Sequence, residues 1–176
     1  MYKRQLLKAE PFSDEDVLKR TAERFHKHGV DPARLELLSH TATLRDHLAL
    51  YDRVDLALDT FPYHGTTTTC EAMLMGVPTV TRIGPSHASR VGLTLLTQVG
   101  LTDLAAHTEE EWIAKAESLA GDRPRLANLR ATLRQTLLAS PLCDGPAFAR
   151  RFEAGLLDAI ATKAAAQAQS TSDFYS

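Results

Sequence analysis

Residues 54–76, VDLALDTFPYHGTTTTCEAMLMG, hold the side chains best suited to do chemistry on an anion. A run of threonines leads into an apolar segment, and Glu71 follows Thr68 at T-x-x-E spacing. A helix that starts in the threonines leaves backbone N–H groups outside its ladder, and its dipole favours negative charge there. A phosphate at Thr66, Thr67 and Thr68 is therefore well satisfied, with the hydroxyls as further donors. Glu71, one turn further in, reaches the hydroxyls of a ribose carried by that phosphate, a carboxylate role familiar in doubly wound folds. The same spacing also reads as a capping box, in which Thr68 and Glu71 satisfy each other's backbone N–H. The two roles can coexist.

Positioning these groups requires a strand before them and a helix under them. Val54, Leu56 and Leu58 alternate with Asp55, Ala57 and Asp59, which predicts a strand over 54–58 with that apolar face buried. Pro62 and Gly65 break it, Ala72, Met73 and Met75 favour helix, and Gly76 ends the helix. Along the rest of the chain, strands are expected at 5–8, 34–38, 78–82 and 101–105. Helices are expected at 14–28, from residue 44, and at 86–99, 109–120, 123–138 and 146–168. Strands separated by helices of this length imply parallel pairing, hence an α/β fold with a Rossmann-like parallel sheet and flanking helices. The expected organisation is a lobe over 1–140, a C-terminal helix over 141–168, and a polar, low-complexity tail over 169–176 that stays disordered.

With 176 residues and 44% hydrophobic content, the chain can bury one sizeable core. A net charge of −2 with both signs interspersed excludes a dedicated nucleic-acid binder, since no basic run tracks a phosphate backbone. No apolar stretch approaches the roughly 18 residues of a membrane span, and the N-terminus lacks a signal-peptide core, so a cytoplasmic location is expected. No internal repeat of about 34 residues is present.

The remaining reactive residues carry little. Cys70 and Cys143 are far apart and fit no C-x-x-C pattern, so neither a disulfide framework nor a zinc site is expected. Cys70 lies near a helix start, which lowers a thiol's pKa, but no base is paired with it by sequence. His26 and His28 form an H-x-H pair without a third ligand and read as solvated surface, so no metal is expected. Leu44, His47, Leu48 and Tyr51 fall on one helical stripe, where His47 reads as a packed side chain.

The compound motif LDTFPYHGTTTTCEAMLMGVPTVTRIGPSHASRVGLTLLTQVGL resembles the donor-binding part of the O-linked N-acetylglucosamine transferase family, including its bacterial SPINDLY-type members. The preceding RLELLSHTATLRDHLALYDRVD extends the resemblance back to about residue 34. Thr94 and His64 depart from the residues common at those positions, Ser and Asn. The resemblance implies a GT-B glycosyltransferase, of which this chain is similar to the C-terminal lobe alone, with a helical C-terminal extension. It implies that Thr66, Thr67 and Thr68 hold the diphosphate of the donor, UDP-N-acetylglucosamine, and that Glu71 holds the ribose. It places His47 beside the nucleobase and the backbone of Ala42 at the uracil edge. No cofactor and no metal are implied.

The resemblance also implies a preceding strand and helix with a phosphate-serving lysine and glutamine, an acceptor lobe for protein Ser/Thr substrates, and a final helix crossing back toward that lobe. The first two are expected to lie outside this chain. Lys3, Arg4 and Lys8 fall in or beside the first strand and are not assigned the missing lysine's role. Phe148, Phe152 and Leu156 either face an absent partner or pad the lobe's own sheet. No general base is assigned, and the chain alone is not expected to turn over. Two alternatives remain open: a nucleotide-binding or interaction module without turnover, and a relative using another donor, GDP-fucose or UDP-glucose.

Overall fold

A computed structural model of the chain describes residues 4–174, with side chains described as far as residue 164. The chain divides into two compact units, Met1–Asp55 and Leu56–Ser176. The lobe expected over 1–140 thus divides after Asp55.

In the first unit, strands β1 (Gln5–Lys8) and β2 (Leu35–Leu38) pair in parallel, with Gln5 opposite Leu35 and Lys8 opposite Leu38. Helix α1 (Glu15–Lys27) connects them. Its start is capped by Asp14, whose carboxylate accepts from the N–H groups of Asp16 and Val17, as expected of an N-cap aspartate. After β2 comes the short α2 (Leu44–Ala49), capped by Thr43, whose hydroxyl accepts from Asp46 N–H at 3.1 Å. A 3₁₀ turn, Leu50–Arg53, ends the unit, and Arg53 pairs with Glu36 of β2.

The second unit is built on β3 (Ala57–Leu58), β4 (Thr79–Arg82) and β5 (Ala105–Ala106), all parallel in the order β3-β4-β5. Helices α3 (Thr67–Leu74) and α4 (Val91–Gln98) make the two crossovers. Beyond the sheet run α5 (Glu109–Gly121), α6 (Arg123–Leu138) and α7 (Gly145–Phe174). Parallel strands are covered on both faces, which explains why β4 is buried from Thr79 to Thr81. Val80, Leu96, Leu104, Ala105, Leu119 and Leu129 form one core cluster, and Met73, Leu95, Val99, Leu133 and Leu137 a second. Leu126, Leu129, Leu133 and Leu137 recur at helical spacing, so α6 lays a single apolar stripe across both clusters.

Gly76 closes α3. Its φ of +76° is a left-handed conformation open chiefly to glycine, and an added Cβ would lie 2.6 Å from the Arg130 carbonyl oxygen. The N–H groups of Gly76 and Val77 donate to the Met73 and Ala72 carbonyls, the paired closure of a Schellman motif. Arg130 of α6 adds a hydrogen bond of 2.8 Å to the Met75 carbonyl, which ties the end of α3 to α6.

Several expectations are corrected. The strand expected over 54–58 is only Ala57–Leu58; Val54 and Leu56 are half-buried and Asp55 exposed as the alternation requires, but the pattern inverts at its end, where Leu58 is 38% exposed while Asp59 is buried. The inversion follows from the hydrogen bonds that Asp59 makes inside, described below. The helix expected over 86–99 is a 3₁₀ turn, His87–Ser89, followed by α4. The strand expected over 101–105 is a 3₁₀ turn, Thr102–Leu104, leading into β5. Leu44 is 66% exposed and leaves the apolar stripe, because α2 is too short to bury a full face. Helix α7 continues to Phe174, over part of the segment read as a tail, carried on from the alanine-rich run at 164–168, whose helix propensity is high. Residues 175–176 of that tail lie outside the described residues. Phe148, Phe152 and Leu156 are 62%, 57% and 50% exposed, so they do not pad the sheet.

Candidate functional site

The start of α3 assembles Thr66, Thr67, Thr68 and Glu71 within one turn. Thr66 holds the N-cap position and makes no side-chain cap, and the first hydrogen bond of the helical ladder runs from Cys70 N–H to the Thr66 carbonyl at 3.1 Å. The capping box needs Thr68 at the N-cap. Thr68 is instead the second residue of the helix, so that reading does not describe this helix start. Thr66, Thr67 and Thr68 are exposed and Glu71 is half-buried, whereas Thr69 turns inward and its hydroxyl donates to the Gly65 carbonyl at 2.9 Å. The backbone amides that precede the ladder and the exposed hydroxyls together form a donor-rich, positively polarised end. Gly65 allows this turn to close, since a Cβ there would sit 2.4 Å from Thr68 Oγ1.

Beneath that turn lies a buried polar network that the residue pattern alone did not single out. Asp59 Oδ1 accepts from Gly65 N–H at 2.9 Å, and its Oδ2 accepts from the Thr81 hydroxyl at 2.8 Å. His64, 1% exposed, sits between β4 and α4: its Nε2 is 2.9 Å from the Arg82 carbonyl and its Nδ1 3.0 Å from Gly92 N–H. A carbonyl only accepts and an amide only donates, so Nε2 carries the hydrogen and Nδ1 is the acceptor. The 3.4 Å approach of Nδ1 to Asp59 Oδ2 is therefore a neighbour contact rather than an ion pair. Gly92 has no room for a side chain, since a Cβ would lie 2.3 Å from Thr81 Oγ1 and 2.6 Å from Asp59 Oδ2. The network fixes the entry to α3 relative to β4 and to the first turn of α4. The available signals were polar residues, Asp59 and Thr81, inside otherwise apolar strand segments, and the His64 departure from the family pattern.

In the loop above it, Phe61 and Tyr63 are exposed. The Arg82 guanidinium stacks on the Phe61 ring at 4.3 Å to the centroid and pairs with Glu109 at 3.0 Å.

Ala42 and His47 belong to the first unit. Ala42 is exposed, immediately before the Thr43 cap of α2, and His47 is half-buried on α2. The Tyr51 ring meets His47 edge-on at 5.7 Å. Lys8, at the end of β1, places its Nζ 2.7 Å from His47 Nδ1 and 3.1 Å from Thr41 Oγ1.

Burial pushes the Cys70 thiol above its ordinary pKa, and the neighbouring Cys143 and Glu71 push the same way. The helix-start argument for a reactive thiol is thereby reversed. His26 and His28 are exposed, and among the described residues no group of three or more His, Cys, Asp or Glu side chains could hold a metal ion. Among the same residues no helix is long and apolar enough to cross a membrane.

The profile of glycosyl transferase family 41 matches residues 6–152, a span that includes the helix start, the network beneath it and the α2 region. The chain belongs to this family. It is 44% identical over 152 residues to a protein of Solanum lycopersicum described as probable UDP-N-acetylglucosamine--peptide N-acetylglucosaminyltransferase SPINDLY, covering 86% of this chain and 16% of that protein. It is 34% identical over 131 residues to the UDP-N-acetylglucosamine--peptide N-acetylglucosaminyltransferase of Caenorhabditis elegans, covering 74% of this chain and 11% of that one. The solved structure of a K341M mutant of the Thermobaculum terrenum O-GlcNAc transferase superposes with a TM-score of 0.81 at 39% identity, over 87% of this chain and 29% of the other. The chain therefore has the α/β architecture of part of a family 41 glycosyltransferase, and spans about a sixth of the plant relative's length.

Proposed function

We propose that this chain is the donor-binding part of a protein O-glycosyltransferase that moves N-acetylglucosamine from UDP-N-acetylglucosamine to Ser or Thr hydroxyls of proteins. The observation that carries the reading is the start of α3, where donors ahead of the helical ladder and three exposed threonines precede Glu71 by one turn. Thr66, Thr67 and Thr68 take the diphosphate and Glu71 the ribose hydroxyls; Ala42 and His47 of the first unit take the base. The names of the relatives supply the donor and the peptide acceptor.

In the reaction the acceptor oxygen bonds to the anomeric carbon as the bond from that carbon to the diphosphate oxygen breaks, with inversion. The acceptor's proton leaves to a base outside the residues assigned to the site, and negative charge gathers on the departing diphosphate. The N–H dipoles of the helix start stabilise that charge where it develops, and being fixed they need no reorganisation during the step. The site residues as proposed require no metal.

Calorimetric titration of the chain with UDP, GDP and their sugar conjugates tests the reading. UDP is expected to bind in preference to GDP, and Glu71→Ala to weaken it by about 1–3 kcal/mol, the cost of leaving hydroxyls of a bound ligand without their acceptor. Absence of binding to every nucleotide sinks the proposal. Affinity retained in Glu71→Ala alongside a lower melting temperature removes Glu71 from the ribose and leaves it a structural role.

A further inference from the structure

Lys8 has no role in the donor site as assigned above, but the fold brings it from the end of β1 onto both sides of Ala42. Its Nζ lies 3.1 Å from Thr41 Oγ1 and 2.7 Å from His47 Nδ1, across sequence separations of 33 and 39 residues. Register explains the convergence: Lys8 is opposite Leu38 in the parallel pair, and Ala9 N–H donates to the Leu38 carbonyl, so the chain leaving β2 passes over the end of β1. All these groups lie within the first unit.

We propose that Lys8 is a positioning residue for the base contacts, resting on the reading above that Ala42 and His47 meet the nucleobase. An ammonium group only donates, so His47 Nδ1 accepts, and the ring's hydrogen resides on Nε2. Any hydrogen bond that His47 makes through Nε2 is then a donation. A contact of that kind with the nucleotide pairs the ring N–H with an oxygen or nitrogen acceptor. The Tyr51 edge sets the tilt of the ring and Lys8 sets its rotation about the ring axis. The second bond, to Thr41, holds the residue before Ala42, while Thr43 on the other side caps α2 through bonds to Asp46 N–H and Oδ2. Ala42 is therefore held from both neighbours, which fixes the backbone groups it offers. A lysine with two simultaneous acceptors and a half-buried stem loses less freedom on ligand binding than an exposed one, so the arrangement is preorganised before the nucleotide arrives.

The test combines the ¹⁵N resonances of the His47 ring, recorded at mildly basic pH, with UDP titration of the full chain and of Lys8→Met and Lys8→Arg. The proposal expects an unprotonated Nδ1 in the parent. In Lys8→Met its resonance moves and UDP affinity falls about tenfold. Lys8→Arg, which restores a donor, recovers both. A protonated Nδ1 in the parent overturns the proposal, as does a Lys8→Met chain whose resonance and affinity both match the parent. A resonance that moves while UDP affinity stays constant also overturns the positioning role. If the parent binds no UDP while Nδ1 responds to Lys8→Met, the nucleotide reading falls and the Lys8–His47 bond stands.

Discussion

Replacing His64 with leucine removes the hub that ties the end of β4 to the first turn of α4. The side chain is fully enclosed, with Nε2 at 2.9 Å from the Arg82 carbonyl and Nδ1 at 3.0 Å from Gly92 N–H. Leucine has a similar volume and serves neither group. Each buried polar group left without its partner costs about 1–3 kcal/mol, so the two together cost about 2–6 kcal/mol. The more apolar side chain returns about 1 kcal/mol of burial. Asp59 is not orphaned, since it keeps Gly65 N–H at 2.9 Å and the Thr81 hydroxyl at 2.8 Å. The net loss is about 3 kcal/mol, a large part of the roughly 5–15 kcal/mol that stabilises a domain. At about 4 °C per kcal/mol for a unit of this size, the melting temperature falls by roughly 12 °C. Circular dichroism melts measure the shift, and amide hydrogen exchange locates it. Gly92, whose N–H loses its acceptor, is expected to lose protection while Gly65 and Leu96 keep theirs. His64→Asn, which retains a donor and an acceptor on a shorter side chain, should fall between parent and leucine. A Tm for His64→Leu within about 2 °C of the parent, with the Gly92 amide still protected, would refute the reasoning.

Three further outcomes follow from the same structure. Thr79 Oγ1 is buried and has no hydrogen-bond partner among the described residues, so Thr79→Val, which deletes the hydroxyl at near-constant volume, should raise stability by about 1 kcal/mol in chemical denaturation; a loss of that size would mean the hydroxyl is satisfied after all. Cys70, its pKa raised chiefly by burial, should resist iodoacetamide at neutral pH while exposed Cys143 labels readily, and mass spectrometry of the two peptides distinguishes them. The hydrogen bond from Arg53 holds Glu36 below the ordinary carboxylate range. A depressed carboxylate contributes stability above its unfolded pKa of about 4.3 and loses it as pH falls through the folded value. Glu36→Gln should therefore flatten the acid limb of the first unit's stability profile below that pH, and an unchanged limb would show that the pair contributes nothing.

Much of the α/β order is legible from residue pattern because its signals are local. β1, α1, β2 and α6 match their expected spans within about a residue or two, and Gly76 ends α3 as expected. Each rests on period, capping side chain or glycine. Elsewhere the local pattern misleads. Leu58 and Asp59 exchange faces because Asp59 has a buried amide and a hydroxyl to accept from, and the value of those bonds exceeds that of covering one leucine. The 86–99 helix breaks into two pieces at Arg90, whose φ of −125° and ψ of −5° leave helical values between the 3₁₀ turn, started by the Ser86–Ser89 capping box, and α4. Thr68 does not form the capping box because spacing alone does not say which threonine of a run begins the helix.

The alternation of strands and helices, the threonine run ahead of a helix, Glu71 one turn inside it and, through the compound motif, the family are all written in the linear chain. These are properties of neighbours in sequence, set by side-chain period and backbone sterics. It takes the folded chain to bring Asp59, His64, Thr81 and Gly92 into one buried network and to lay Lys8 on His47. Those contacts span 17 to 39 residues, across strand and helix connections whose register no local pattern encodes. A buried polar group takes whichever partner the packing of the whole unit brings within about 3 Å, because leaving it unpaired is costlier than breaking a local preference.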